Sequence, residues 1–388
     1  MQPVSPKQST KTKSVPMKIA QIAPLMESVP PKLYGGTERV VSYLCEEFVR
    51  QGHDVTLFAS GDSITKAKLV PCGHMAIRLN PRVRDYVPHY MIMLEEVRRR
   101  ASSFDILHFH IDAFQLPLFS HVAERTISTL HGRQDLPDLA PLYRAFPHMN
   151  FVSISNAQRE PIPDGNFAAT VYHGLPPDLH VPNYDPRGGY VAFLGRISPE
   201  KGPDRAIAIA RSLGLPLKIA AKIDKVDEAY FREVVAPLLN QPGVEFVGEI
   251  DERGKTQFLG NARALLFPID WPEPFGLVMI EAMACGTPVL GFRHGSVSEI
   301  IDDHVTGRIV SGVEEASWAL RDVIALDRRG VRRRFEERFS VTRMADDYLT
   351  VYNSLLAKIP SYATMNEGSQ GANVIPLQRK SASERHAG

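Results

Sequence analysis

The chain has 388 residues, a formal net charge of +1 at pH 7 and ordinary fractions of apolar and charged residues. This length is sufficient for two domains with separate cores, and the near-zero charge gives no support for nucleic-acid binding, which normally shows a basic excess. The three cysteines form no CxxC pair, so neither a disulfide framework nor a zinc cage is indicated and a reducing compartment is predicted.

Both terminal segments have a composition that is unfavourable for folding. Residues 1–16 and 361–388 are rich in polar residues, and we predict that both are disordered because they have too little apolar surface to offset the entropy of ordering. The N-terminus lacks the apolar core of a signal peptide, and no apolar run approaches the roughly 20 residues that span a bilayer. We therefore expect a soluble, cytoplasmic protein.

Residues 17–174 show the pattern of repeated βα units. Short runs of Val, Ile and Leu alternate with amphipathic stretches of helical period, which is typical of a parallel sheet covered by helices. The predicted strands are Lys18–Ala23, Asp54–Ala59, Asp105–Phe109, Thr126–Leu130, Phe151–Ser155 and Thr170–His173, and the clearest helices are Thr37–Gln51 and Arg84–Ala101.

A glycine pair precedes the first of these helices. Gly35 and Gly36 permit close approach to the backbone, and Thr37 is expected to cap the helix. The segment LYGGTERVV (residues 33–41) lacks the GxGxxG spacing of dinucleotide-binding proteins, so a dehydrogenase is disfavoured. A glycine pair is also common in ordinary loops.

Histidines lie at the ends of two predicted strands. His131 ends the fourth strand before Gly132, where a structural and a functional role are about equally supported. His108 and His110 project to the same face of their strand and could in principle bind a metal. No carboxylate or Cys/His spacing completes such a site, so no metal site is predicted.

Residues 175–189 are rich in Pro and Gly and form the predicted linker. The strand pattern restarts in residues 190–341, at Tyr190–Leu194, Leu217–Ala220, Val244–Val247, Ala264–Phe267, Val289–Phe292 and Arg308–Val310. Residues 342–360 are predicted to contain a last helix, placed so that it can cross back onto the first domain. The fold class is thus α/β, with two Rossmann-like, doubly wound domains facing an interdomain cleft where ligands should bind.

A basic pair follows the first strand of the second domain, in GRISPEKG (residues 195–202). Gly195 allows a sharp turn, and Arg196 and Lys201 then bring two cations to the cleft. An arginine fork and a lysine point charge can together neutralise a diphosphate. The alternative is that both charges only face water, but their position at a strand-to-helix turn favours phosphate binding.

The most informative segment is EPFGLVMIEAMACGTP (residues 273–288). Pro274, Phe275 and Gly276 should form a tight turn that opens a helix, so the helix N-terminus is presented to an oxygen-rich ligand. Glu273 can accept hydrogen bonds from hydroxyl groups, although single glutamates at helix starts are common. Glu281 lies within an apolar run and should therefore have a dedicated partner.

The ordered series of motifs GG, HG, GRISPEKG, EPFGLVMIEAMACGTPVL and GSVSEIIDDHVTG resembles the retaining glycosyltransferases of family 4, which have the GT-B architecture. The resemblance spans roughly residues 17–358. It implies that Arg196 and Lys201 hold the donor diphosphate in place of a metal. It also implies that Glu273 binds hydroxyls of the donor sugar, beside the backbone of Phe275, Gly276 and Leu277, and that Glu281 binds the ribose.

The resemblance assigns further contacts on both domains. Gly36, beside Gly35, would approach the phosphates, and His131 would contact the donor sugar near the reacting carbon. The segment Val247, Glu249 and Ile250 would border the base, and Glu299 would be structural. Catalytic roles are thus implied for Glu273, Arg196, Lys201 and His131.

The predicted function is a retaining, metal-independent transfer of a hexose from a nucleotide diphosphate sugar, more consistent with UDP than with GDP, to an unidentified hydroxyl. No cofactor is expected, since the nucleotide sugar is a co-substrate. Two alternatives stay open: a non-hydrolysing nucleotide-sugar epimerase, and a non-catalytic protein that binds nucleotide sugars. The acceptor, the oligomeric state and peripheral membrane contact through basic residues such as Arg98–Arg100 are also left open.

Overall fold

The computed structural model of the protein describes residues 15–32 and 34–359. The predicted disordered leader lies outside these residues except for Val15 and Pro16, and the predicted tail at 361–388 lies outside them entirely. Leu33, in the predicted glycine-rich segment, is also outside them. Within the described part of the chain, no helix is both long and apolar enough to cross a membrane.

The first domain contains a seven-stranded parallel sheet with the order β3-β2-β1-β4-β5-β6-β7. Its inner strands are almost fully buried on both faces, which explains their continuous apolar sequence. The strands are β1 Lys18–Ile22, β2 Asp54–Ala59, β3 Lys68–Pro71, β4 Ile106–Phe109, β5 Thr126–Thr129, β6 Asn150–Ser153 and β7 Phe167–Thr170. The helices are α1 Gly36–Arg50, α2 Val87–Arg100, α3 Leu116–Phe119, α4 Leu139–Ala145 and α5 Asn156–Arg159.

The second domain contains a six-stranded parallel sheet with the order β10-β9-β8-β11-β12-β13. All six strands predicted for this half are present, as β8 Val191–Arg196, β9 Leu217–Lys222, β10 Val244–Gly248, β11 Leu265–Phe267, β12 Val289–Phe292 and β13 Gly307–Val310. Its helices are α6 Pro203–Ser212, α7 Glu228–Tyr230, α8 Ala236–Leu239, α9 Glu252–Gly260, α10 Leu277–Ala284, α11 Val297–Ile300, α12 Val313–Ile324 and α13 Arg328–Arg338. The predicted fold class of two doubly wound α/β domains is confirmed.

Two strands of the first sheet differ from the sequence prediction, and both are edge strands. Strand β3 was not predicted, because it has four residues and ends in Pro71, which lacks the N–H that a central strand needs. Strand β7 lies at Phe167–Thr170 rather than at Thr170–His173. Its side chains are partly exposed, whereas Val171 and His173 just after it are buried, so the apolar pattern indicated the wrong segment.

The last helix, α14 Val341–Leu356, packs on the core of the first domain although it follows the second in sequence. Ser340 caps it by accepting a hydrogen bond from the Arg343 N–H. The chain enters α14 beside Gly174, where a Cβ atom would lie only 2.3 Å from the Ser340 carbonyl oxygen. The helix thereby attaches the end of the second domain to the first.

Candidate active site

A cavity of about 820 Å³ lies between the two domains, at the carboxyl ends of strands from both sheets. Residues from both halves of the chain line it. Those among the predicted site residues are Gly35, Gly36, His131, Arg196, Lys201, Glu249, Ile250, Glu273, Phe275, Gly276, Leu277 and Glu281. Val247 does not line the cavity, since it lies on the edge strand β10 with its side chain 41% exposed.

Helix α10 begins at the cavity, and helix α6 begins two residues after the cavity-lining Lys201; each follows a glycine in the left-handed conformation. Gly276 has φ 79° before α10, and a Cβ atom there would lie 2.7 Å from the Met279 side chain and 3.1 Å from Phe267. Gly202 has φ 69° before α6, where a Cβ atom would lie 2.5 Å from the Pro268 carbonyl oxygen. Both helices therefore need glycine at this position. The unpaired N–H groups at the start of α10 face the cleft and favour anionic or oxygen-rich ligands.

Lys201 and Glu273 form an ion pair on this side of the cavity. The Trp271 indole N–H donates to the same carboxylate oxygen of Glu273 at 2.8 Å, and the Lys201 ammonium lies 4.6 Å from the centre of the Trp271 ring. Glu273 is only 8% exposed, so its orientation is fixed by these two donors. The sequence analysis did not identify Trp271, although one of only two tryptophans stands two residues before Glu273.

Arg196 projects from the end of β8 into a group of carboxylates. It pairs with Glu200, and its guanidinium lies 3.6 Å from Asp227 and 3.9 Å from Asp224. Burial disfavours the charged form of Arg196, but the Glu200 and Asp227 carboxylates outweigh burial and raise its pKa. The guanidinium therefore stays charged beside the cavity and can exchange these partners for an anionic ligand.

Glu281 is 3% exposed and accepts a hydrogen bond from the Lys255 ammonium at 2.8 Å. Lys255 also lies 3.5 Å from Glu252, which pairs with Arg39 of the first domain and lies 3.3 Å from His180. Although burial opposes ionisation, His180, Lys255 and Arg39 lower the pKa of Glu252 to about 2. His180, Glu252 and Glu281 have the spacing of metal ligands, but the positive charge between the two carboxylates is supplied by Lys255.

The first-domain side of the cavity carries a buried hydrogen-bonded network. His131 shares a hydrogen bond with His110 at 2.8 Å, and His110 shares one with Gln21 at 2.8 Å. His108 continues the network through Tyr352 of α14 and Thr129, both at 2.7 Å. His108 and His110 thus have protein partners that account for their burial.

These imidazoles are held in their neutral form. Burial lowers the pKa of His131 to about 3, and it lowers those of His108 and His110 well below the ordinary value. The ring of His173 stacks on His131 with centroids 5.4 Å apart, and burial lowers the pKa of His173 as well. This wall therefore offers neutral hydrogen-bonding groups to a ligand.

The glycine pair lies at the start of α1, across the cleft from α10. Gly35 has φ 157°, and a Cβ atom there would lie 2.8 Å from Pro31. A Cβ atom on Gly36 would lie 3.5 Å from Leu277 of the other domain. The helix begins at Gly36 after Gly35, with no side-chain cap. The predicted capping role of Thr37 is therefore wrong, because the helix starts one residue earlier and Thr37 lines the cavity instead.

Glu299 joins the two domains away from the cavity lining. Its carboxylate accepts hydrogen bonds from the Asn156 and Ala157 N–H groups and from the Tyr172 hydroxyl, each at 2.8 Å. These contacts lie at the start of a short helix of the first domain and hold α11 of the second domain against it.

Two family models match the chain, one on each domain. Residues 34–159 match Glycosyltransferase Family 4, and residues 181–339 match Glycosyl transferases group 1. The D-inositol 3-phosphate glycosyltransferase of Saccharomonospora viridis is 31% identical over 214 residues, which cover 50% of this chain and 47% of that protein. The protein of the same name from Mycolicibacterium smegmatis is 31% identical over 194 residues, covering 46% and 42%. The matches thus span about half the length of these relatives or less.

Solved structures share the two-domain arrangement. Sucrose-phosphate synthase from Thermosynechococcus elongatus has a TM-score of 0.72 at 18% identity, over 88% of this chain and 100% of that chain. Anabaena HepE, in complex with UDP and glucose, has a TM-score of 0.66 at 16% identity, over 87% and 100%. At such identities the similarity concerns the fold.

Proposed function

We propose that this chain, which belongs to the glycosyltransferases of group 1 and family 4 and has the GT-B architecture, transfers a hexosyl group from a nucleotide diphosphate sugar to a hydroxyl. We propose UDP as the nucleotide, because the Anabaena neighbour of the same fold is described with UDP and glucose. We further propose that the anomeric configuration is retained, that no metal takes part, and that the protein acts in a reducing compartment, which its three buried free cysteines support.

The observation that carries this proposal is the convergence of Lys201, Glu273 and the start of α10 on one side of the cavity. When the bond between the anomeric carbon and the diphosphate breaks, the electron pair leaves with the nucleotide, so negative charge develops on its phosphates. Cations and helix N–H groups that are already oriented stabilise that charge most effectively. Arg196 and Lys201 supply the cations, and the start of α10 supplies the N–H groups.

The remaining groups position the sugar and the nucleotide. Glu273, oriented by Lys201 and Trp271, accepts hydrogen bonds from donor hydroxyls. Glu281 accepts hydrogen bonds from the ribose, with Lys255 compensating its buried charge. In the proposed step the acceptor oxygen bonds to the anomeric carbon on the face that the diphosphate leaves, and the proton of the acceptor hydroxyl passes to the departing phosphate oxygen.

Substitution of Lys201 tests the role of the second-domain side of the cavity. Lys201→Ala should reduce transfer by roughly a hundredfold, the scale for loss of one electrostatic stabiliser, and Glu273→Gln should separate loss of the carboxylate from loss of packing. Lys225→Ala, an exposed lysine of the same domain outside the cavity lining, is the matched control. Melting temperatures of all variants should be compared, since Lys201 also compensates the charge of Glu273. Full activity of Lys201→Ala contradicts the proposal.

The donor and the reaction class can be tested together. Thermal shift with UDP-, GDP- and ADP-sugars identifies the nucleotide, because a ligand that binds only the folded state raises the melting temperature. Activity that persists in excess EDTA is expected. Turnover of the sugar nucleotide to its epimer without an acceptor would instead indicate an epimerase, and binding without turnover across a broad acceptor panel would indicate a non-catalytic protein.

A further inference from the structure

The first-domain side of the cavity carries a second group of side chains that the donor does not explain. We call it the acidic wall and define it by three carboxyl groups and two aromatic rings: Glu27, Glu38, Asp112, Tyr86 and Phe114, all of which line the cavity. The ring of Tyr90 lies among them, because it stacks on Phe114 and is influenced electrostatically by Glu38 and Asp112. The group therefore forms one continuous surface.

Two of the carboxyl groups have protein partners. Glu27 is 6% exposed and pairs with Arg78 at 3.0 Å, so the charge of Arg78 is compensated inside the wall. Glu38 is also 6% exposed, and its carboxyl group accepts hydrogen bonds from backbone N–H groups of its own residue and of Glu27. Burial raises the pKa of both groups. A carboxyl group is either neutral or negatively charged, so neither Glu27 nor Glu38 can attract an anionic ligand.

Asp112 differs from the other two carboxyl groups. It follows β4 in the left-handed conformation with φ 56°, which aspartate adopts more readily than most non-glycine residues. Among residues 15–32 and 34–359, no cation or hydrogen-bond donor pairs with its carboxyl group, which is exposed to the open cleft. The Asp112 side chain reaches the cavity surface, so its oxygens are available to a ligand hydroxyl.

The aromatic part of the wall supplies an apolar face next to these oxygens. Phe114 and Tyr90 stack with ring centroids 5.2 Å apart, and Tyr86 meets Phe114 edge-on at 6.4 Å. Tyr86 is 47% exposed, so part of this cluster is open to the cleft. A flat aromatic surface beside hydrogen-bond acceptors matches a sugar ring, which has an apolar C–H face and hydroxyls at its edge.

Charge on this side of the cavity favours a neutral ligand over an anionic one. The two arginines that line it, Arg78 and Arg39, are in ion pairs with Glu27 and Glu252, and His110 and His131 are neutral. Arg196, Lys201 and Lys255 are the groups placed against the donor, and Lys222, which lines the cavity and acts electrostatically on Glu27, is paired with Asp224 at 3.0 Å. A phosphate placed on the acidic wall would have to displace Glu27 from Arg78 or Asp224 from Lys222, and it would also meet the carboxyl groups of Glu38 and Asp112, which is unfavourable.

Resting on the proposed transferase function, we infer that the acceptor is an uncharged sugar or polyol ring, which the acidic wall binds through Asp112 and the Tyr86 and Phe114 rings. Asp112 acts as a positioning and specificity residue that accepts a hydrogen bond from an acceptor hydroxyl. Phosphorylated acceptors are disfavoured at this wall.

Matched acceptor pairs test the inference on the full-length protein with UDP-glucose as donor. Glucose and glucose 6-phosphate form one pair, and myo-inositol and inositol 3-phosphate form another, with glycoside formation measured by mass spectrometry. Transfer efficiency should favour the neutral member by at least about tenfold, the scale for one unfavourable charge contact. Equal or better use of the phosphorylated members, or transfer to no neutral ring at all, overturns the inference.

Asp112→Asn provides the residue-level test, since asparagine tolerates the left-handed conformation. It should raise KM for the neutral acceptor about tenfold, the cost of one charge-assisted hydrogen bond, with a smaller change in kcat and a reduced preference against phosphorylated rings. Asp138→Asn is the control, because Asp138 is exposed, makes no capping hydrogen bond and lies outside the cavity lining. Unchanged acceptor KM and charge preference in Asp112→Asn overturn the inference. Failure of the proposed function itself would appear differently, as absence of any thermal shift with UDP.

Discussion

The second-domain side and the first-domain side of the cleft stabilise their buried polar groups in different ways. On the second-domain wall each cation stands against a carboxylate, as in the Lys201–Glu273 and Lys255–Glu281 pairs. On the first-domain wall, the polar groups around His131 and His110 are neutral and are satisfied by hydrogen bonds. A surface of ion pairs keeps charge available for an anionic diphosphate, whereas the neutral histidine cluster, which shares its side of the cavity with the acidic wall, suits sugar hydroxyls.

This difference should appear first in the pH dependence of stability, where the largest effect is expected. Four imidazoles, the buried His108, His110 and His173 and the half-buried His131, have pKa values lowered by loss of solvent, that of His131 to about 3. The unfolded chain then binds more protons than the folded chain below the ordinary histidine pKa of about 6.5, so stability falls with falling pH and is constant above that value. At roughly 1.4 kcal/mol for each histidine and pH unit, the loss between pH 7.5 and 5.5 should reach about 5 kcal/mol.

Urea unfolding at constant ionic strength measures this loss. His121→Gln, which removes an exposed histidine of the same domain, should leave the pH slope unchanged. A free energy of unfolding that is flat between pH 7.5 and 5.5 would show that the imidazoles on the first wall are not held neutral, and the contrast between the walls would then fail.

Most of the fold can be predicted from the sequence because buried parallel strands have continuous apolar runs. The inner strands β8, β11 and β12 of the second sheet carry that pattern, and the edge strand β10 was predicted from its valines and phenylalanine although none of its residues is buried. Strands β3 and β7 were missed or displaced because an edge strand contacts the core on one side only, and its sequence is correspondingly weak. The position of α14 on the first domain depends on the packing of Tyr348 and Tyr352, which period alone does not specify.

The second wall was more accessible to sequence reasoning than the first. Lys201 and Glu273 stand in two continuous motifs, so their chemistry is visible in neighbouring letters. Asp112, Tyr86 and Glu27 lie in separate loops that only the sheet order brings to one cavity. The sequence predicted that a buried Glu281 needs a partner, but it did not identify Lys255 as that partner.

Trp271 is the second donor that orients Glu273 on the second-domain side of the cavity. Trp271→Phe keeps a ring near Lys201 but removes the N–H that donates to Glu273. Loss of one hydrogen bond to a charged group should lower kcat/KM about tenfold. Trp318→Phe, which alters a tryptophan that is 74% exposed on α12, should have no effect on transfer. It also leaves Trp271 as the single tryptophan, whose fluorescence should change when UDP binds.

Equal activity of Trp271→Phe and the unmodified protein would mean that Lys201 alone orients Glu273. The orientation of Glu273 would then depend on its ion pair with Lys201 and not on the hydrogen bond from Trp271. The second-domain side would in that case differ from the hydrogen-bonded histidine cluster of the first domain even more than the structure suggests.

The smallest effect is expected where the two walls are joined directly, at the ion pair between Arg39 of α1 and Glu252 of α9. Arg39→Met keeps most of the apolar side chain and removes the charge, while Lys255 at 3.5 Å and His180 at 3.3 Å remain beside Glu252. We therefore expect a loss of only about 1 kcal/mol in the free energy of unfolding, near the upper end for partly exposed pairs. Arg50→Met on the same helix, where a 63% exposed side chain pairs with Glu47 inside the domain, should cost about 0.3 kcal/mol. A loss of several kcal/mol in Arg39→Met, the scale for an uncompensated buried charge, would show that Lys255 does not compensate the charge of Glu252. The second-domain side of the cavity would then depend on Arg39 of the first domain for its charge balance.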